Sequence, residues 1–138
     1  MSEENVEVLE AAIDALNARD VDGETADALF HDEIEWRPAR SAGGAVEGAV
    51  YRGKSGMIKY VEDVDSGFDE LRFEIPKFEP VGSDRVFYRG RIIARGSGSG
   101  IPLDVPVWGL WEIRDGKLFR GVGFLTEKEA LEAAGLSE

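Results

Sequence analysis

The chain has 138 residues, no cysteine, one histidine and a formal net charge of −12 at pH 7. This is about one domain's length, so we expect a single domain over residues 1–138 with one core. Without cysteine there are no disulfides and no thiolate chemistry, and a single histidine makes no zinc site. We therefore expect no metal and no cofactor.

Acidic residues are concentrated at the N-terminal end. Residues 1–36 hold twelve of the 28 acidic residues and only Arg19 among the sixteen bases. Such an acidic face repels phosphate, so we expect no nucleic-acid partner and no anionic membrane partner. The apolar runs are too short to span a bilayer, and MSEENVEVLE lacks a signal pattern, so the expected location is the cytoplasm.

The first half of the chain carries helical patterns. Val6, Leu9, Ile13 and Leu16 recur at steps of three and four, which predicts an amphipathic helix over about residues 3–18. Further elements are predicted in the order helix, strand, loop and helix, over 25–30, 34–37, 39–50 and 54–66. The loop is small and glycine-rich, which is typical of a mobile segment that rims a site.

From residue 68 onward the pattern changes to strands. Alternation predicts strands over 71–75, 86–95, 101–113 and 118–125, with Asp115-Gly116 as a two-residue hairpin turn. Pro102 and Pro106 each remove a hydrogen-bond donor, so the first half of the third strand is expected at an edge or with a bulge.

A last helix should begin after Thr126, because Thr126 and Glu129 form a capping box, and it should end at Gly135. The order of the elements predicts an α+β fold. A curved antiparallel sheet wraps around the N-terminal helices in a cone with an internal pocket.

Five motifs stand in an order that resembles a known family: ALNARDVDG (15–23), FHDEIEWRP (30–38), YRGKSGM (51–57), RDGKL (114–118) and EALEAAGL (129–136). They resemble the SnoaL-like family of the nuclear transport factor 2-like superfamily over nearly the whole chain. The resemblance implies a cystatin-like cone around an apolar pocket and a homodimer that pairs through the outer face of the sheet. Enzymes and binding modules share this scaffold, so it leaves the function open.

Catalytic sets known for this fold are incomplete here. The positions that match the tyrosine, the base and the second acid of ketosteroid isomerases are Ala12, Arg37 and Trp108 or Gly109. None of these side chains can do that work, so ketosteroid isomerase activity is not expected. An epoxide hydrolase set would need a second acid beside Asp104, and the last strand, KLFRGVGFL, has none.

The segment FHDEIEWRP holds the candidate catalytic residues Glu35, Asp32 and Arg37. If Arg37 faces the pocket, strand alternation turns Glu35 the same way, and the guanidinium lowers the pKa of Glu35 and makes it a weak base. If Trp36 faces the pocket instead, it supplies an aromatic wall and an indole donor. We interpret His31 as a structural residue at the end of the short helix.

Later strands supply mainly apolar walls. Small and aromatic residues of 86–95 share one face, whereas Arg89, Arg91 and Arg95 share the other, where a partner's acids could pair with them. By parity, Trp108 and Trp111 lie on opposite faces, so one at most lines the pocket. The candidate ligand-binding residues are Trp36, Tyr88, Trp108, Phe124 and Tyr60.

Two functions stay open. The first is a protein that binds a small apolar molecule in an aromatic-lined pocket, and it is favoured because no recognised catalytic set is complete. The alternative is an isomerase, cyclase or hydrolase-type enzyme that acts on a small apolar substrate with Glu35 or Asp32 as base.

Overall fold

The computed structural model describes residues 2–38 and 50–136. Within these ranges the chain forms four helices and six strands: α1 (Ser2–Ala18), α2 (Gly23–Leu29), β1 (Phe30–Arg37), β2 (Tyr51–Arg52), α3 (Gly53–Gly67), β3 (Phe68–Val81), β4 (Arg85–Gly96), β5 (Pro102–Arg114), β6 (Lys117–Phe124) and α4 (Glu127–Ala134). The predicted loop over 39–50 falls, but for Val50, outside the described residues. None of the described helices is long and apolar enough to cross a membrane.

The six described strands form one curved, open sheet in the order β2-β1-β6-β5-β4-β3. Every neighbouring pair is antiparallel except β1 and β6, which run parallel. Helices α1 and α3 pack on the inner face, where Leu9, Leu16, Met57 and Tyr60 join the sheet in one buried cluster. The predicted α+β class and the wrapped sheet are confirmed.

Local sequence signals place several element ends. Thr126 accepts a hydrogen bond from the Glu129 backbone N–H at 3.3 Å, and α4 is followed by Gly135, as predicted. The hairpin between β5 and β6 turns at Asp115 and Gly116, with φ angles of 54° and 73°. These left-handed angles are the ones that a two-residue turn between twisted strands requires.

The prolines of β5 lie at an open edge, which confirms the expectation. Pro102 lies opposite Arg95 and Pro106 opposite Arg91 on β4. The described pairing of β5 with β6 begins only at Trp108. Among the described residues the first half of β5 therefore has a neighbouring strand on one side only, which is where a strand tolerates proline.

The start of β1 differs from the prediction. The short helix ends at Leu29 and the strand begins at Phe30, four residues earlier than expected. The register between β1 and β6 shifts between Phe30 and Glu35, so this part of β1 bulges away from its neighbour. A bulge breaks the alternation from which strands are predicted, which is why the pattern indicated only residues 34–37.

The outer face has its own small apolar cluster beneath α4, formed by Val81, Phe87, Ala130, Leu131 and Ala134. Three arginines of β4 also lie on this face and have acids in the same chain. Arg89 pairs with Glu127, Arg91 with Asp104 at 2.6 Å, and Arg95 with Glu70 at 3.5 Å. All three arginines therefore have an acidic partner within the chain, and their pairing with a partner's acids stays a prediction.

Candidate functional site

Trp36 lies on the inner side of the sheet. Its side chain is 6% exposed and belongs to the cluster shared with α1 and α3, whereas the adjacent Arg37 is exposed. Ile34 is buried as well, so side chains in this part of β1 point alternately toward and away from the core. This is the pattern of a strand that packs one face against a core. Of the two orientations that the sequence left open, the structure has the one with Trp36 inside.

Two glycines make room for aromatic rings on the inner face. The rings of Trp36 and Trp111 stack with centroids 5.1 Å apart and 13° between their planes. Gly121 on β6 is the neighbour of both residues across the sheet. A Cβ on Gly121 would overlap the Trp111 ring, and one on Gly109 would overlap the Tyr88 ring. Both rings lie against the sheet because these two positions have no side chain.

The aromatic cluster continues into α3. Tyr60 meets Trp36 edge-on at 5.9 Å and Tyr51 at 5.2 Å between ring centroids. The Tyr51 hydroxyl donates a hydrogen bond to Asp63 at 2.7 Å, and burial together with this bond raises the pKa of Tyr51 to about 12. Asp63 also pairs with Lys59 at 2.8 Å, and that bond holds the pKa of Asp63 below its usual range.

A cavity lies among these rings. Its described lining is aromatic, aliphatic or glycine, and no charged side chain belongs to it: Trp36, Tyr60, Phe73, Tyr88, Ile92, Val107, Trp108 and Gly123. The space between the lining atoms, including the open side, is about 230 Å³. The centre of a water molecule can reach only about 10 Å³ of it. In this state the cavity has room for about one water molecule.

The polar atoms of the lining are available as hydrogen-bond donors. Trp36 Nε1 is buried and has no hydrogen-bond partner in the part of the chain that the structure describes. Burial raises the pKa of both Tyr60 and Tyr88, so their hydroxyls stay protonated at neutral pH. The Trp36 indole lies near enough to Tyr60 to offset part of that rise in pKa, although no hydrogen bond of acceptable geometry joins them.

The candidate carboxylates are not part of this lining. Glu35 forms ion pairs with Arg52 at 3.0 Å and with Arg120 at 3.8 Å, and the hydrogen bond from Arg52 lowers the pKa of Glu35. Asp32 is 85% exposed and pairs with Lys54 at 2.9 Å, which lowers its pKa too. A general base near neutral pH needs the opposite shift of the pKa.

The position of Asp32 follows from the bulge in β1. Asp32 has the same parity as Ile34 and Trp36, yet it is exposed while they are buried. Five residues separate Phe30 from Glu35, whereas their partners on β6 are two residues apart. The surplus residues leave the ladder, so parity no longer decides which way they point. Arg37 is exposed and likewise does not line the cavity.

His31 is part of β1 and does not lie at the end of a helix, so the reason given for its structural role was wrong. Its Nδ1 accepts a hydrogen bond from the Glu33 backbone N–H at 3.0 Å. Its ring meets Phe119 edge-on with centroids 4.9 Å apart, and its Nε2 lies 3.8 Å from Asp115. These contacts hold the bulge and give His31 a local structural role.

The structure assigns the aromatic residues of the last strands differently from the sequence interpretation. Trp108 borders the cavity, but its side chain packs against the apolar cluster under α4, as Phe124 also does. Phe124 is its cross-strand neighbour and does not line the cavity. Trp111, which is not among the candidate ligand-binding residues, stacks on Trp36. The sequence does contain a signal that Trp111 faces inward. Odd positions from Leu103 to Ile113 carry no charge, whereas the even positions include two acids.

No group of three side chains suited to hold a metal ion occurs among the described residues. The cavity lining offers hydrogen bonds and ring faces, and no carboxylate, imidazole or thiolate. Its geometry therefore fits the binding of an uncharged group.

A family comparison agrees with this fold. The model of the SnoaL-like domain family matches residues 9–121. The chain belongs to the SnoaL-like domain family. This confirms the resemblance seen in its five motifs. No curated protein matches the chain in sequence.

Several solved structures are similar to this SnoaL-like chain. TerC, co-crystallised with polyporic acid, is 23% identical with a TM-score of 0.75, over 96% of this chain and 98% of that one. A putative SnoaL-like polyketide cyclase from Jannaschia sp. is 19% identical with a TM-score of 0.72, over 96% and 92%. A protein of ketosteroid isomerase-like fold from Catenulispora acidiphila, in complex with trimethylamine, is 18% identical with a TM-score of 0.70, over 95% and 94%. At these identities the likeness establishes the fold.

Proposed function

We propose that this SnoaL-like protein binds a small apolar molecule in the inner aromatic cavity. The observation that carries the proposal is the buried Trp36 Nε1, which has no hydrogen-bond partner among the described residues. Burying a donor without an acceptor costs about 1–3 kcal/mol, and folded proteins leave few such groups unpaired. A ligand that accepts this bond would remove the cost.

The composition of the cavity lining also supports a binding role. Ligand sites are mostly apolar and aromatic with a few polar groups that fix the orientation. Here Trp36, Tyr60 and Tyr88 supply ring faces together with donors, and Ile92 and Val107 complete the wall. Among the candidate ligand-binding residues, Trp36, Tyr60 and Tyr88 support this proposal, whereas Trp108 contributes only at the border.

The alternative is an isomerase, cyclase or hydrolase-type enzyme with Glu35 or Asp32 as base and Arg37 beside it. One similar structure is that of a putative polyketide cyclase, which favours this class. Against it, both carboxylates are held ionised by neighbouring bases and neither lines the cavity. The position that matches the ketosteroid isomerase tyrosine is Ala12, which is fully buried in the core.

We also propose a homodimer that pairs through the outer face of the sheet, as the family resemblance implies. Half-buried apolar side chains lie on that face, among them Leu110, Val122 and Phe124. Leu110 and Val122 are cross-strand neighbours, so they form a continuous apolar surface between β5 and β6. A second copy would remove this surface from water.

Native mass spectrometry of the purified protein, before and after denaturation, tests the binding proposal. We expect a retained small molecule that denaturation releases. In Val107→Phe the added ring fills the cavity, and we expect the retained molecule to be lost. The matched control is Val61→Phe, because Val61 is half-buried on α3 outside the cavity lining. Retention by Val107→Phe equal to that of the wild type would contradict the proposal.

A further inference from the structure

We propose that the ligand of the inner cavity is a small neutral molecule with one acceptor oxygen and at most one six-membered ring. This inference rests on the proposed function, because it concerns the chemistry of the same cavity. Three features of the cavity carry it: the kind of hydrogen-bonding atom that it offers, the absence of charge from its described lining, and its size.

The first feature is the donor. An indole N–H can only donate, so Trp36 Nε1 can be satisfied by an acceptor and by nothing else. The hydroxyls of Tyr60 and Tyr88 are also protonated, since burial raises the pKa of both. A carbonyl or ether oxygen meets these donors, whereas a hydrocarbon leaves Trp36 Nε1 unpaired.

The second feature is the charge. No charged side chain belongs to the described lining, so a carboxylate or an ammonium ion would lose its hydration without gaining a counter-ion. Aromatic rings attract methylated ammonium ions through their faces. In this cavity, however, the hydrogen of Trp36 Nε1 lacks an acceptor among the described residues, and a cation supplies none. The lining therefore favours a neutral ligand over both kinds of ion.

The third feature is the size. Even with its open side included, the cavity spans only about 230 Å³. A cavity of roughly 150 Å³ admits benzene, so the space between the present walls is too small for several fused rings and has to widen even for one ring. Because a water centre reaches only about 10 Å³, a ring enters only if a wall side chain shifts.

Matched probe compounds separate these three features. Cyclohexanone and methylenecyclohexane have the same shape, but only the ketone has an acceptor. 1-Tetralone adds a fused ring, and cyclohexanecarboxylate and tetramethylammonium add charge of either sign. Binding is followed by nuclear magnetic resonance of ¹⁵N-labelled protein, in which the three tryptophans each give one indole N–H signal. The Trp36 signal is identified as the one that Trp36→Phe removes.

We expect cyclohexanone to shift the Trp36 signal saturably and to bind about tenfold more tightly than methylenecyclohexane. 1-Tetralone and both ions should bind at least about tenfold more weakly than cyclohexanone. Equal affinity for ketone and hydrocarbon, or tighter binding of 1-tetralone or of an ion, overturns the inference while the binding function stands. If no probe shifts any signal of the cavity, the proposed function itself fails.

A pair of identical substitutions tests the role of the indole donor. Trp36→Phe keeps an aromatic ring and removes the N–H, so it should lose most of the preference for the ketone, with only the hydroxyls of Tyr60 and Tyr88 left as donors. Trp111→Phe removes an indole that stacks on Trp36 and does not belong to the described cavity lining, and it should keep the preference for the ketone. A preference for the ketone in Trp36→Phe that equals that of the wild type overturns the assignment of the donor. If that variant does not fold, the comparison of ketone and hydrocarbon in the wild type still tests whether the ligand needs an acceptor oxygen.

Discussion

Trp36 and Trp111 stack across a strand that lies between them, with ring centroids 5.1 Å apart and planes 13° from parallel. They lie on β1 and β5, and Gly121 on the intervening β6 is the neighbour of both. Side chains two strands apart ordinarily do not reach each other in this way. The stack exists because Gly121 has no side chain, and its Trp36 ring lines the cavity.

Gly121→Ala should therefore destabilise the fold. The added Cβ would overlap the Trp111 ring, so the ring must move or the strand must shift. Overpacking of this kind costs about 1–3 kcal/mol. Urea denaturation measures the change in the free energy of unfolding. Gly67→Ala is the matched control, because an added Cβ there meets no described atom within 4 Å, and its effect should stay within about 0.5 kcal/mol.

Arg19 joins three elements at the end of α1. Its guanidinium donates hydrogen bonds to Leu16 O at 2.8 Å and to Leu71 O at 2.7 Å, and its Nε pairs with Asp65 at 3.0 Å. We expect Arg19→Ala to lower the free energy of unfolding by about 1–3 kcal/mol, since the carbonyls of Leu16 and Leu71 lose their side-chain donor, although Leu16 O keeps the bond from the Arg19 backbone N–H at 3.1 Å. Chemical denaturation provides the measurement.

The control for Arg19 is Asp65→Asn, which removes the ion pair and leaves both backbone carbonyls bonded. An exposed pair contributes about 1 kcal/mol at most, so this variant should be the more stable of the two. An equal loss in both variants would show that the ion pair, and not the carbonyl bonds, stabilises this junction.

The elements that sequence predicted well are those whose burial repeats with a regular period. Leu9, Ile13 and Leu16 recur on one face of α1 and are buried, and Thr126 begins α4 through a local hydrogen bond. These signals lie within a few residues of each other, so a reader of the sequence needs no knowledge of the fold to use them.

The features that sequence missed depend on neighbouring strands. Asp32 is exposed because β1 bulges against β6, and Trp111 stacks on Trp36 because both lie beside Gly121. Neither fact can be read from β1 or β5 alone, since register is set by the partner strand. Parity showed that Trp108 and Trp111 face opposite sides, and the signal that Trp111 faces inward lies in the uncharged odd positions of β5.

Asp63 should give the protein a stability that depends on acid pH. Its pKa is lowered by bonds from Lys59 and Tyr51, so its ionised form stabilises the folded state. This contribution is complete above the unfolded pKa of about 4 and is lost as the pH falls through the lower folded value. Asp63→Asn lacks it. The difference in stability between wild type and variant should therefore shrink below about pH 4.

Urea denaturation between about pH 7 and pH 3 measures this difference. Asp22→Asn is a suitable control, because Asn serves as well as Asp at the start of a helix. Its stability at neutral pH should stay within about 0.5 kcal/mol of that of the wild type. A gap between wild type and Asp63→Asn that stays constant down to about pH 3 would exclude a folded-state effect of Asp63 ionisation.

The proposed homodimer predicts a mass of twice 15.1 kDa in solution. Size-exclusion chromatography with light scattering measures it. Val122→Glu places a charge on the outer face between β5 and β6, and it should shift the protein to a monomer. Ile101→Glu is the control, because Ile101 lies before β5 and is already 62% exposed. A monomeric wild type, or a Val122→Glu variant that stays dimeric, speaks against an interface at this position.

Glu35→Gln separates the binding function from the enzymatic alternative. The glutamate is bonded to Arg52 and lies outside the cavity lining, and its pKa is lowered, so at neutral pH it is an ionised partner of arginine. Binding of cyclohexanone should stay within about twofold of the wild type, because the substitution removes no atom that the ligand contacts. Arg37→Ala should behave in the same way. If a substrate is turned over by the wild type and Glu35→Gln abolishes that turnover while binding persists, the enzymatic alternative holds, and Glu35 must then leave Arg52 to reach the substrate.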